Sequence, residues 1–460
     1  MNEVVSVVFA VSLLVVLVFA ILKKMQPVMV LWVLGTIALV VMALVSGTSP
    51  AEASSGNAIL DVFEYFKECM GSQFAGNALL IMSVMGYVGY MNYLKAGDLF
   101  AVLVARQLQK LKVKYLVVAL VVVLDYLFML FLPSGIATIA LLLGTVYPVM
   151  IYLGVNSLTA GCAIVIGVGV FATPANFFPA QMLEYFGMTE SLAVAYVKYM
   201  IPVVVIMEVF FAASYMLISI RADKKAEAAA KVETPEIPAP KSFGIPYYYA
   251  LLPLIPFVMI IGFSNLFFDN ISISVVAANI LSFLAAFIVR LISSKKPFIE
   301  TFNEGFTFFQ KIGDSVAPVA MIIIAGTFFA GALNATGGMN VIIDVFVNRI
   351  SMPIPVFIIF ASLLGALMYA ATGTCFLGLY SIGPLLTQAV LVSSPELMIP
   401  ALLIFTISSN ILGASLSPIS AANMFASGFL KVPVTDIIKR CALPSVVAFV
   451  VSAAASFLLY

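Results

Sequence analysis

The chain has no histidine among its 460 residues. That removes the commonest metal ligand and the commonest general base. Its four cysteines, Cys69, Cys162, Cys375 and Cys441, lie far apart with no CxxC spacing. Haem, iron–sulfur and metal chemistry therefore find no ligand set, and no disulfide is implied. Only 9% of the residues are charged, against about 25% in soluble proteins. A formal charge of +1 offers no broad surface to nucleic acid. The longest polar stretch, 221–243, has no apolar core, so no soluble domain is large enough to house an enzyme.

What is present is apolar: 63% of the chain is hydrophobic. Several runs reach the roughly 20 residues needed to cross a bilayer. The sequence predicts an all-α, polytopic membrane protein. The first run, Val4–Leu22, lacks a basic leader and a small-residue cleavage site, and reads as a retained span.

Two halves share one order. Residues 1–220 and 246–460 each give spans, an amphipathic piece, a hairpin with a polar tip, a broken helix and a last span. The hairpins lie near 115–153 and 354–392, and the broken helices near 158–180 and 397–429. Each hairpin reads either as two full spans or as a re-entrant loop. Residues 221–245, rich in charge and proline, form a linker. With both hairpins re-entrant, every basic residue except Lys67, Lys198 and Arg349 falls on one side. Basic loops are cytoplasmic, which puts the linker inside and both termini outside. The expected architecture is two inverted repeats, each of about five spans plus one re-entrant hairpin, in a prokaryotic inner membrane.

Polar, Gly/Pro-broken stretches at membrane depth are tolerated where they line a cavity or are buried in protein. Paired interruptions in two halves point to a transporter's binding site. Four occur: Pro133-Ser134-Gly135, Thr173-Pro174-Ala175-Asn176, Thr372-Gly373-Thr374, and 408–418. The last reads either as a broken helix or as a Pro-kinked helix whose hydroxyls bond back to their own turn. The expected substrate-binding residues are Ser134, Gly135, Thr173, Asn176, Thr372, Gly373, Thr374, Ser409, Asn410, Ser415 and Ser417. Helix N-termini there suit an anion, and freed carbonyls and hydroxyls suit Na⁺ as a coupling ion. No Lys or Arg lies in any interruption. Asp125 and Glu208 sit inside apolar runs. Each is either a proton or ion relay or a structural acid paired at a helix seam.

The chain resembles the anaerobic C4-dicarboxylate carrier family of the DcuC type, within the wider ion-transporter superfamily. The resemblance is carried by Tyr115–Met150, by Leu412-Gly413-Ala414-Ser415-Leu416-Ser417-Pro418-Ile419-Ser420, and by the following Lys431–Pro444. It implies a homodimer, re-entrant hairpins whose tips bind carboxylates, and an elevator-type carrier of succinate, fumarate or malate, working by exchange or by H⁺ or Na⁺ coupling. Family members have a basic residue where this chain has Ala414. The less basic site keeps amino acids and short monocarboxylates open as alternative substrates. A channel or a membrane-embedded enzyme is a more distant reading.

Overall fold

The computed structural model describes residues 2–23, 25–47, 50–52, 54–108, 110–111, 113–131, 135–227, 244–263, 273–345 and 352–460. Pro133 and Ser134 of the first hairpin's tip, most of the linker and Arg349 lie outside the described residues. The described residues are helical throughout, with no strand among them.

The first half contains α1 (Glu3–Leu22), α2 (Pro27–Ser46), α3 (Ala58–Ala75), α4 (Asn77–Tyr93) and α5 (Ala96–Leu108). The arms α6 (Lys114–Phe131) and α7 (Gly135–Tyr152) follow. Next come α8 (Ser157–Ile166), α9 (Phe177–Tyr185), α10 (Leu192–Ala195) and α11 (Ile201–Glu227). In the second half, a tight turn at Tyr247–Leu254 leads into α12 (Ile255–Gly262). It continues through α13 (Val275–Ser293), α14 (Phe298–Glu304), α15 (Phe306–Asp314), α16 (Met321–Ala335) and α17 (Gly338–Asp344). The second pair of arms is α18 (Ile354–Thr372) and α19 (Phe376–Ser393). The chain closes with α20 (Met398–Leu403), α21 (Ser409–Leu416), α22 (Ala421–Leu430) and α23 (Val434–Leu459).

Seven helical stretches among the described residues are long and apolar enough to cross a membrane. The pair α3 and α4, bent by 42° at Gly76, makes an eighth. The chain is thus a multi-pass membrane protein. Its helices start where the sequence supplies a cap. Asn57, Asn156, Asn176, Ser274 and Ser420 each accept a hydrogen bond from the first turn of α3, α8, α9, α13 and α22, groups that have no partner within their own helix.

Packing crosses between the halves. Helix α2 lies on α16, and α4 lies on α13 and α15. Helix α1 lies on α17, while α5 lies on the Tyr247–Leu254 turn. The long helices α11 and α23 pack on each other. Each hairpin's return arm meets the other half's broken helix: α7 packs on α22, and α19 on α9.

The second broken helix differs from the expectation of an interruption over 408–418. Helical backbone runs without a gap from α20 through a wide turn at Ile404–Ser408 to the end of α21 at Leu416. The hydroxyls and amide that read as a break bond inward instead. Ser409 Oγ donates to the Phe405 carbonyl, and Asn410 Nδ2 donates to the Thr406 carbonyl at 2.8 Å. The chain breaks only at 417–420. There Pro418 lacks an N–H and its ring cannot sit behind the Ala414 carbonyl.

Candidate functional site

Gly135 and the interruptions at 173–176 and 372–374 converge on one cavity of about 250 Å³, joined there by Ser420, just past the 408–418 stretch. From the first half it takes Gly135 and Ile136 of α7, Ala175 and Asn176 of the break, and Phe177 of α9. From the second half it takes Gly373, Phe376 of α19, Ser420, and Ala421 and Ala422 of α22. The rest of the wall is apolar: Ile81, Val84 and Met85 of α4, with Met129, Val168, Phe171 and Tyr369. Among the described residues, no charged side chain lines it.

The lining residues share one property. Helices α7, α9, α19 and α22 all begin at the cavity. Each presents first-turn N–H groups that no carbonyl of its own helix can accept, at an end carrying roughly half a positive charge. Phe177 and Phe376, the first residues of α9 and α19, stack with ring centroids 5.1 Å apart. That contact holds two of the N-termini beside each other.

Each tip rests on the broken helix of its own half. Gly373 ends α18 with φ +76°, a conformation that suits glycine. A Cβ there would stand 2.8 Å from the Ile419 carbonyl oxygen. Gly135 packs on the Val168 side chain in the corresponding way.

Of the predicted binding residues, Gly135, Asn176 and Gly373 line the cavity. Thr372 and Thr374 belong to the same tip, where Thr372 Oγ1 donates to the carbonyls of Met368 at 2.7 Å and Thr374 at 3.1 Å. Ser415 and Ser417 are buried beside the second break, and both offer carbonyls to Asn423 Nδ2, at 3.4 and 2.8 Å. Thr173 is fully buried next to the first break, with its hydroxyl unpartnered among the described residues. Ser409 and Asn410 are buried inside their helix and do not line the cavity. Asp125 and Glu208 lie on α6 and α11, behind the first break and outside the cavity wall.

Sequence reasoning missed Ser420 and the aromatic wall. Ser420 caps α22, accepting from the Asn423 N–H at 3.3 Å. Its signal was present as a serine just after Pro418 and just before a new apolar run. Nothing local distinguishes Phe171 or Tyr369 from an apolar residue facing lipid.

The chain is similar to known transporters. The Escherichia coli K12 anaerobic C4-dicarboxylate transporter DcuC is 23% identical over 94% of this chain and 92% of its own length. The probable anaerobic C4-dicarboxylate transporter DcuC of Vibrio cholerae is 22% identical over 86% and 85%. Both relatives are transporters and not enzymes. In fold, the chain is similar to the crystal structure of the Alcanivorax borkumensis YdaH transporter, with a TM-score of 0.64 at 15% identity over 94% of this chain and 98% of that one. The family model for the C4-dicarboxylate anaerobic carrier, DcuC, matches residues 3–460, and the chain belongs to that family.

Proposed function

We propose that this protein carries C4-dicarboxylates such as succinate, fumarate or malate across a prokaryotic inner membrane, as an elevator-type secondary transporter. One observation carries the reading: four helix N-termini meet at a small cavity with no basic side chain. Anions are stabilised at such termini, and two from each half can face the two ends of a dicarboxylate. A volume of about 250 Å³ is below the roughly 300–1,000 Å³ of drug-sized sites. That suits a solute of four carbons.

The crossed packing supports inverted repeats. Helix α2 on α16 has its counterpart in α13 on α4, and α7 on α22 in α19 on α9. In this reading the arms α6/α7 and α18/α19 are re-entrant, and with α8–α9 and α20–α22 they form the moving body. Basic-residue placement puts 221–245 in the cytoplasm and the termini outside. The reading extends, on the family resemblance, to a homodimer. Movement is by exchange or is coupled to H⁺ or Na⁺.

Ligand-induced thermal stabilisation of the purified protein tests it. A ligand that binds only the folded state stabilises by about 2.7 kcal/mol at a hundred times its Kd. Succinate or fumarate should raise the melting temperature, and glycine or acetate should not. A shift confined to amino acids or monocarboxylates would discard the dicarboxylate assignment.

A further inference from the structure

A second site lies behind the first break. Asp125 is fully buried and Glu208 is 5% exposed. They sit within electrostatic reach of each other across the α6–α11 contact. The backbone N–H groups of Gly167 and Val168 face Asp125, and among the described residues no side chain donates to any of the pair's four carboxylate oxygens. An ionised carboxylate so placed is costly, and a second one beside it adds repulsion. One proton held by the pair removes one of the two buried charges and with it the repulsion between them.

Among the described residues the surroundings supply no free compensating charge: Lys198, on the Tyr196–Met200 turn packed against α11, is exposed and pairs with Glu190 at 3.1 Å. Tyr126 lies next to Asp125, and its hydroxyl is 3.0 Å from that of Tyr196 and donates to the Ala172 carbonyl at 2.9 Å. Helices α7, α8 and α12, also packed on α6, contain no Asp, Glu, Lys or Arg. Helix α23, packed on α11, carries its charges in its first two turns, where Arg440 pairs with Asp223 at the far end of α11. Thr173, the one other unpartnered buried group beside this break, does not titrate.

The pair also touches the machinery. A Cβ on Gly167 would lie 2.9 Å from Asp125 Oδ2 and 3.0 Å from Asp125 Cβ, so the carboxyl rests directly on that backbone. The next residue, Val168, is cavity wall and packs on Gly135 at the start of α7. The one after, Gly169, sits against Ile411 and Ala414 of α21. A change of charge at Asp125 therefore acts on a three-residue turn that joins both broken helices and the cavity.

We propose that Asp125 and Glu208 form a proton-binding site, separate from the substrate cavity, that couples substrate movement to the H⁺ gradient through the turn at 167–169. The inference rests on the transport reading above. A bound dianion favours a proton on the pair, and a proton on the pair favours the dianion by the same factor. The proton enters from the outer aqueous phase and leaves, as the substrate does, on the cytoplasmic side.

The test uses the full chain in proteoliposomes, with succinate. Uptake is compared with and without an inward pH gradient, and separately with an inward Na⁺ gradient. A gradient of one pH unit drives up to about tenfold accumulation per coupled proton. The unsubstituted protein should respond to H⁺, and in Asp125→Asn and Glu208→Gln the ratio should fall to about one. Succinate–succinate exchange, which moves no net proton, must stay measurable for each ratio to be read. If Asp125→Asn does not fold, Glu208→Gln carries the test. A wild-type ratio in a folded variant overturns the proposal, as does a response to Na⁺ alone. If no dicarboxylate exchanges at all, the transport reading has failed, and proton binding is read directly instead. By titration in detergent, the unsubstituted protein should then take up about one proton per chain more than the double variant. Equal uptake overturns the site.

Discussion

The two broken helices meet the same demand in opposite ways. In the second, one side chain bridges most of the gap, although its own Oδ1 has no partner among the described residues. Asn423 is fully buried, and its Nδ2 donates to the carbonyls of Ala414, Ser415 and Ser417 at 3.1, 3.4 and 2.8 Å. In the first, the break over 170–176 is longer and its polar groups are left partly unmet. Tyr126 holds one carbonyl and Asn176 caps α9, while among the described residues no side chain donates to Thr173, Asp125 or Glu208 behind it. A break satisfied from within has one stable shape. A break backed by buried acids has a shape that depends on what binds there. On the coupling proposed above, the two breaks would divide the work between a fixed cradle and a responsive one.

The largest effect should come from the ion pair that anchors α8, the helix leading into the responsive break. Arg440 Nη1 donates to Thr159 Oγ1 at 2.6 Å and to Asp223 Oδ1 at 3.1 Å, with Asp223 fully buried. Arg440→Met strands that carboxylate, and removing one partner of a buried pair costs about 3–5 kcal/mol. Thermal unfolding checks it. A loss below about 1 kcal/mol, the range of exposed pairs, would mean that α8 is not anchored there.

Asn423→Ala comes next. It leaves the Ser415 and Ser417 carbonyls without their donor, while Ala414 keeps only a 3.5 Å contact from Ser420 Oγ, at roughly 1–3 kcal/mol for a buried group left unsatisfied. Asn176→Ala removes a single cap and should cost about 1 kcal/mol. The comparison predicts the order: Asn423→Ala should lower the melting temperature more than Asn176→Ala. The reverse order would erase the distinction between the two breaks.

The smallest effect concerns a site remote from both. Burial pushes the Glu304 carboxyl up, but the Arg290 guanidinium at 2.8 Å and the Lys296 ammonium at 2.8 Å outweigh it, holding Glu304 below the usual carboxylate range. A carboxyl lowered in the folded state adds stability that is fully present above its unfolded value, about pH 4.3. That stability is lost as pH falls through the folded value. Glu304→Gln should flatten this acid limb of stability by under about 1 kcal/mol while leaving uptake unchanged. Altered uptake would place Glu304 in the responsive machinery and weaken the division drawn here.

The same contrast explains what could be read from the residues. Thr173-Pro174-Ala175-Asn176 and Gly373 announced their breaks, because Pro, Asn and a positive-φ glycine are signals local to the chain. The Ser408-Ser409-Asn410 cluster looked equally broken, yet Ser409 and Asn410 spend their hydrogen bonds on the carbonyls of their own preceding turn. Two outcomes were open to those residue types, and only the fold selects between them. The cavity's wall was hidden for another reason. In a chain that is 63% hydrophobic, Phe171, Tyr369 and Phe376 carry the same local pattern whether they face substrate or lipid. The convergence of four helix starts is likewise a matter of tertiary arrangement. Each start was visible separately, but their meeting point was not.

That convergence bears on the empty carrier's journey home. A lysine or arginine in the cavity would attract a dianion, but once the cargo left it would remain as a bare charge to be dragged through a medium of low dielectric constant. Helix termini attract with partial charges that are balanced at the other end of each helix, so the vacant site has no net charge of its own. In the carrier proposed above, the unloaded protein would then reorient without a counter-substrate, and the absence of a basic residue would permit one-way accumulation as well as exchange.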